Sequence, residues 1–176
     1  MTMTQTSRIS RRARVAVWAP VALRLIVGYG FMAHGMAKLS RGPLLFAAVL
    51  QAMGVPQPSL MAWLTIVIEL AGGAAVLLGA CVPFVSVPLA AVLIVAMVKV
   101  HLPYGFSSIK LLAIGPASAR FGPPGYEINL LYLACLVTLV LGGPGPVAID
   151  AFIASRRRRS QATIAADSFN FYSQQC

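Results

Sequence analysis

The sequence predicts an all-α integral membrane protein: a four-helix bundle with a short interfacial helix after span 1 and a long capping loop between spans 3 and 4. Three observations point there. Hydrophobic residues make up 59% of the 176-residue chain and charged residues only 10%, against roughly 25% charged in a soluble domain. Mean hydropathy is +0.82. The apolar residues fall into four long stretches separated by Gly/Pro-rich breaks, with Lys and Arg gathered outside the first and the last.

Three segments are expected: a basic N-terminus (1–14), a four-span membrane domain (15–155), and a basic run with a flexible tail (156–176). The first span runs from Val15 to about Ala37, interrupted only by Arg24 and His34. That is roughly 34 Å of helix, enough to cross the hydrocarbon core. It is too long for the apolar core of a signal peptide and no A-x-A site follows, so it is expected to be retained. The stretch Leu44 to Met53 is too short to span and predicts a helix lying against the bundle or the interface. Gly54-Val-Pro-Gln-Pro ends it.

A second span covers about Leu60 to Ala80. The third, about Pro83 to His101, carries Pro88 in its first turns, where lost backbone bonding is best tolerated. The fourth, about Tyr126 to Gly143, is short at roughly 27 Å and crosses if the bilayer thins locally. Between the last two lies LPYGFSSIKLLAIGPASARFGPPG, whose aromatic and apolar content predicts a packed loop over one end of the bundle. After GGPGP, VAIDAFIASRRRR reads as an amphipathic interfacial helix. Arg8, Arg11, Arg12 and Arg14 precede the first span and Arg156 to Arg159 follow the last. Both termini are therefore expected in the cytoplasm, with the chain multi-pass in the membrane.

The same distribution disposes of the obvious reading of a +10 net charge. The basic runs hug membrane ends, where they meet anionic headgroups, and no recognition fold accompanies them; no nucleic acid is expected. Cys81, Cys135 and Cys176 are far apart, without a CxxC pair, so a dithiol centre is not expected. Neither GxGxxG nor GxxxxGK[ST] occurs.

Function is signalled by ionisable residues lying where lipid makes them costly. Glu69 sits inside LMAWLTIVIELAGGAAVLLG, and Glu127 opens YEINLLYLACLVTLVLGG. Counted from the span ends, Arg24 and Glu69 fall near mid-membrane within about 10 Å of one another in depth. Mutual pairing is the expected arrangement, as a structural lock or to orient a ligand. Gly28 lies one turn from Arg24, and Gly72 and Gly73 one turn from Glu69, small enough to let two helices approach closely.

A second group is expected near the outer face. His34 and Lys38 share one side of the first helix; Lys99 and His101 end the third span; Tyr126 and Glu127 begin the fourth. Two imidazoles, a carboxylate and a phenol at similar depth have the chemistry to exchange protons with a redox ligand. The plainer reading makes His34, His101 and Glu127 hydrated interfacial residues, with Lys38 and Lys99 snorkelling to headgroups. Nothing in the spacing selects a metal, and none is expected. Trp18, Trp63 and Tyr104 read as interface anchors.

At these residues the chain resembles the DoxX family of small bacterial membrane proteins. The likeness rests on LRLIVGYGFMAHGMAKL (Leu23 to Leu39), IELAGGAAVLLG (Ile68 to Gly79), the KVH ending the third span followed by GF, YEINLLYLA (Tyr126 to Ala134) and GGPGPVAID (Gly142 to Asp150). The resemblance implies a four-helix membrane bundle and kinship with the small subunit of thiosulfate:quinone oxidoreductase. Its pattern falls on Arg24, His34, Gly35, Lys38, Glu69, Gly72, Gly73, His101, Tyr126, Glu127, Gly143, Gly145 and Asp150. With the polar residues above, that kinship leads to the expectation of a quinone-linked oxidoreductase component in the bacterial plasma (inner) membrane, with no covalently bound cofactor. Its catalytic residues would be His34, His101 and Glu127. Arg24, Lys38, Glu69 and Tyr126 would contact quinone, and Gly28, Gly35, Gly72, Gly73 and Asp150 would be structural. Expected partners are the lipid bilayer, quinone, a soluble redox partner or second subunit, and a second copy of the chain. The alternatives are a non-catalytic anchor or scaffold for a soluble redox partner, and a small-solute transporter, for which four spans are few and no inverted repeat is visible.

Overall fold

The computed structural model describes residues 15–115 and 118–156. Helix α1 is Ala19–Arg41, α2 is Pro43–Ala52, α3 is Pro58–Leu78, α4 is Val82–Tyr104 and α5 is Glu127–Gly142. Residues 149–156 are helical as well. The breaks follow local chemistry. Pro20, Pro43, Pro58 and Pro83 stand in the first turns of α1 to α4, where a missing N–H costs nothing and a fixed φ suits the helix. Gly42 at φ 100° closes α1, Gly79 at φ 67° closes α3 and Gly143 at φ 78° closes α5, all backbone regions open to glycine. The first helix therefore starts at Ala19 rather than Val15, and it runs one turn past Ala37.

Two of these helices, α3 and α4, are long and apolar enough to cross a membrane. Only 17% of the most apolar stretch of α4 is buried inside the protein. Phe84, Val87 and Val95 on it are all exposed. A helix apolar all round yet mostly uncovered belongs in lipid rather than in a soluble core. Helix α1 has the length but carries Arg24, His34, Lys38 and Arg41, and α5 is 16 residues long.

The core joins Val27 and Phe31 of α1, Val76 of α3, Val82 and Leu89 of α4, and Leu136 and Leu139 of α5. Phe31 meets Tyr132 of α5 edge to face at 5.4 Å between ring centres. Helices α1 and α3 run antiparallel in close contact. A Cβ on Gly28 would lie 2.8 Å from the Gly73 carbonyl oxygen, and one on Gly73 would lie 2.9 Å from that of Gly28. This is the small-residue approach the sequence predicts for that pair. Gly72 instead faces Leu89 of α4, and Gly35 faces Leu70 and the Cβ of Glu69. Short α2 packs Ala47 and Leu50 on Ala62 of α3, close to the sequence expectation for Leu44 to Met53.

The connection between α4 and α5 departs from expectation. In place of a loop packed over the bundle, it forms an antiparallel ribbon of β1, Leu111–Ile114, and β2, Ala119–Phe121. Every residue of both strands is exposed. Alternation in LLAIGPASARF is too brief to show as strand by pattern, and cross-strand pairing set the outcome. The expected basic N-terminus and most of the tail, with Arg157 to Arg159, lie outside the described residues.

Candidate functional site

The ionisable residues in and beside the helices sort into three separate sites. At the end where α3 turns into α4, Arg24 is buried at 5% exposure. Its Nε donates to the Val76 carbonyl at 3.2 Å, Nη2 to Leu77 at 2.8 Å, and Nη1 to Pro144 at 2.9 Å. Longer contacts reach Val147 at 3.4 Å and Pro146 at 3.5 Å. A guanidinium has five N–H groups, and here five carbonyls face them. Val76 and Leu77 belong to the last turn of α3, whose orphan carbonyls and negative dipole end suit a cation.

The Arg24–Glu69 pair expected from the sequence is therefore not formed. The error was one of depth. With α1 starting at Ala19, Arg24 lies in its second turn, level with the end of α3, whereas Glu69 is near the middle of α3. The contacts of Gly28 with Gly73 and of Gly35 with Glu69 set the register. Carried one turn further, that register brings Lys38 to Glu69.

Asp150 completes the same end. Its carboxylate accepts from the backbone N–H of Cys81 at 3.0 Å and of Val82 at 3.4 Å, and its own N–H donates to Gly79 at 3.1 Å. Helix α4 has no side-chain cap of its own, so Asp150 supplies the missing acceptor and the negative charge its N-terminus favours. Gly79 is squeezed between: a Cβ there would meet Ala148 at 2.6 Å and the Arg24 guanidinium carbon at 2.8 Å.

The second site is the ion pair of Lys38 and Glu69. Lys38 Nζ lies 2.6 Å and 2.5 Å from the two carboxylate oxygens, with the glutamate side chain 6% and the lysine side chain 24% exposed. The Phe46 ring of α2 stands 5.4 Å from the ammonium, in range for cation–π attraction. Glu69 stands on a π-helical turn, Ile68–Gly72, inside α3. Such single turns recur at functional sites, since they displace a side chain from the regular helical face. Lys38, read from the sequence as snorkelling to headgroups, turns inward instead, because a buried carboxylate is within its reach. His34 lies one turn below it on α1 with its side chain exposed.

The third site ties α4 to α5. His101, on a second π-helical turn, Met97–His101, bonds through Nδ1 to the Pro124 carbonyl at 3.0 Å. A carbonyl only accepts, so Nδ1 carries the proton and Nε2 is left free to accept in the neutral ring. Glu127 Oε2 accepts from the Ser108 N–H at 3.0 Å. The backbone N–H groups of Gly125, Tyr126 and Glu127 donate to Ser107, Gly105 and Phe106. The Tyr126 ring packs edge-on against Phe106 at 5.5 Å. Ser108 Oγ is buried without a partner. His101 and Glu127 are thus brought to one loop, each held by backbone, while His34 stays on α1.

Several residues escaped the sequence reading. Gly125 allows the 105–107 carbonyls to approach, since a Cβ would strike all three. Buried Asn129 donates to the Leu93 carbonyl at 3.3 Å and clamps α5 to α4; an amide inside an apolar helix was the available signal. Phe46 carried no signal. Among the described residues no group of three or more His, Cys, Asp or Glu is placed to hold a metal.

Apolar helices left open to lipid, with buried charges satisfied inside the chain, define a helical membrane protein. Residues 19–102 match the family model described as DoxX. The chain is similar to the DoxX family over that span, and the match takes in Arg24, Lys38, Glu69 and His101. No curated protein and no solved structure matches the chain.

Proposed function

We propose that this is a four-span plasma-membrane protein with cytoplasmic termini that binds quinone as one component of a quinone-linked oxidoreductase. The observation that carries the reading is the Lys38–Glu69 pair, with its carboxylate buried and its lysine partly open beside Phe46. An ammonium there donates a hydrogen bond to a quinone carbonyl, and the carboxylate beside it holds and returns a proton. His34, one turn along α1, supplies a second titratable group on the lipid-facing side. Arg24 is left out of this site because its N–H groups are already occupied. Quinone reduction takes two electrons and two protons; the electrons come from a soluble redox partner, and the chain supplies the quinone site and the protons.

The test is a titration of a short-tailed benzoquinone into the protein in lipid nanodiscs, read by quenching of Trp63 on α3. Saturable quenching that weakens about tenfold or more in Glu69→Gln and Lys38→Met is the expected result. Saturable quenching untouched by both substitutions removes the site. Absence of saturable quenching in the native chain removes quinone binding. The closed Arg24 cage favours the second reading, a non-catalytic scaffold, whose positive result is a stoichiometric soluble redox protein captured from membranes with no effect of quinone.

A further inference from the structure

The β1–β2 ribbon has an unusual surface. Ile114 is 78%, Leu112 64% and Phe121 62% exposed. Leu111 pairs with Phe121, Ala113 with Arg120 and Ile114 with Ala119, with an irregularity between Leu111 and Ala113. Cross-strand partners share a face, and residues two apart along a strand share a face. Ala119 and Phe121 are thus on one side, and their partners Ile114 and Leu111 join them. In a regular strand Leu111 and Ile114, three apart, would point to opposite sides. The bulge at Leu112 brings both onto the apolar side. Arg120, paired with Ala113, takes the other.

A two-stranded ribbon is marginal alone in water and needs a surface to lie on. The bundle does not provide it, because every strand residue is open. Two observations choose the surface. The ribbon springs from the end of α4 and returns at the start of α5, where exposed Val95, Val98, Leu102 and Leu131 lead up to it. It also carries Lys110 and Arg120, while the sequence holds no acidic residue between Glu69 and Glu127.

We infer that the ribbon lies flat in the outer membrane interface, with Leu111, Ile114 and Phe121 at the acyl boundary and Lys110 and Arg120 among anionic lipid headgroups. Interfacial depth is required as well as allowed: unpaired strand edges need water or headgroups and are not tolerated in hydrocarbon. The inference rests on α4 and α5 crossing the bilayer as proposed, and not on quinone binding.

The experiment uses the full chain with Trp18 and Trp63 replaced by Phe, reconstituted in phosphatidylcholine–phosphatidylglycerol vesicles containing lipids brominated at shallow or deep acyl positions. One variant carries Phe121→Trp and a second carries Val95→Trp as the reporter of the span. The expected result is about twofold quenching of the tryptophan at 121 by shallow bromines, with deep bromines less effective. Lys110→Glu with Arg120→Glu should reduce that quenching on anionic vesicles. Quenching at 95 with none at 121 overturns the ribbon placement while leaving the span intact; it is the result expected if a protein partner or water covers the ribbon. Absence of quenching at both positions overturns the span and the ribbon placement together.

Discussion

Arg24 and Glu69 are both buried ionisable groups on neighbouring helices, and they are stabilised in opposite ways. Arg24 is held by five backbone carbonyls drawn from α3 and from the segment after α5. Glu69 is held by one side chain, Lys38, itself partly open. Backbone carbonyls cannot give up or receive a proton, so the Arg24 site has one state. An ammonium–carboxylate pair can be separated, neutralised or shared with a ligand. One end of the bundle is thus built as a lock, and the middle as a place where charge can be rearranged.

Substitutions break this comparison in order of size. Arg24→Leu should be the most damaging, lowering stability by about 3–5 kcal/mol, since it strands the carbonyls at the end of α3 and after α5. Thermal unfolding in nanodiscs measures it, and Arg24→Lys should recover little because one ammonium cannot span carbonyls from two segments. Glu69→Gln should cost about 3 kcal/mol by leaving the ammonium uncompensated. Here a second change helps: joining Lys38→Met to Glu69→Gln should recover much of the loss, a coupling read from a double-mutant cycle. If the double variant is no more stable than Glu69→Gln alone, the pair is not the self-contained unit its geometry describes.

Smaller effects sharpen the contrast. Asp150→Ala removes the acceptor at the start of α4 and should lower stability by about 1 kcal/mol, seen in the same melts. His34→Ala, an exposed change, should move stability by no more than about 0.5 kcal/mol. A large loss of quinone quenching alongside that small shift would assign His34 to ligand rather than to fold.

The apolar helical stretches, the break after α2 and the glycine contact of α1 with α3 were legible in the sequence, because chain breaks and small residues act locally. The partner of Glu69 was not. Choosing Arg24 over Lys38 depended on helix starts, and a shift of α1 from Val15 to Ala19 moves its side chains by about 6 Å in depth. Carbonyl partners such as Pro144 and Pro146 are invisible to any reading of side-chain types, so the Arg24 cage had no signature. Asp150 entered only through family resemblance, and its geometry now supplies the physical reason, a cap delivered to α4 from 68 residues further along the chain.

That distance also bears on how the protein is made. Arg24 is made 120 residues or more before three of its five acceptors, Pro144, Pro146 and Val147. The turn at Gly79 to Val82 likewise waits for Asp150. This end of the bundle therefore closes only after α5 has been made, and until then the Arg24 guanidinium needs other acceptors.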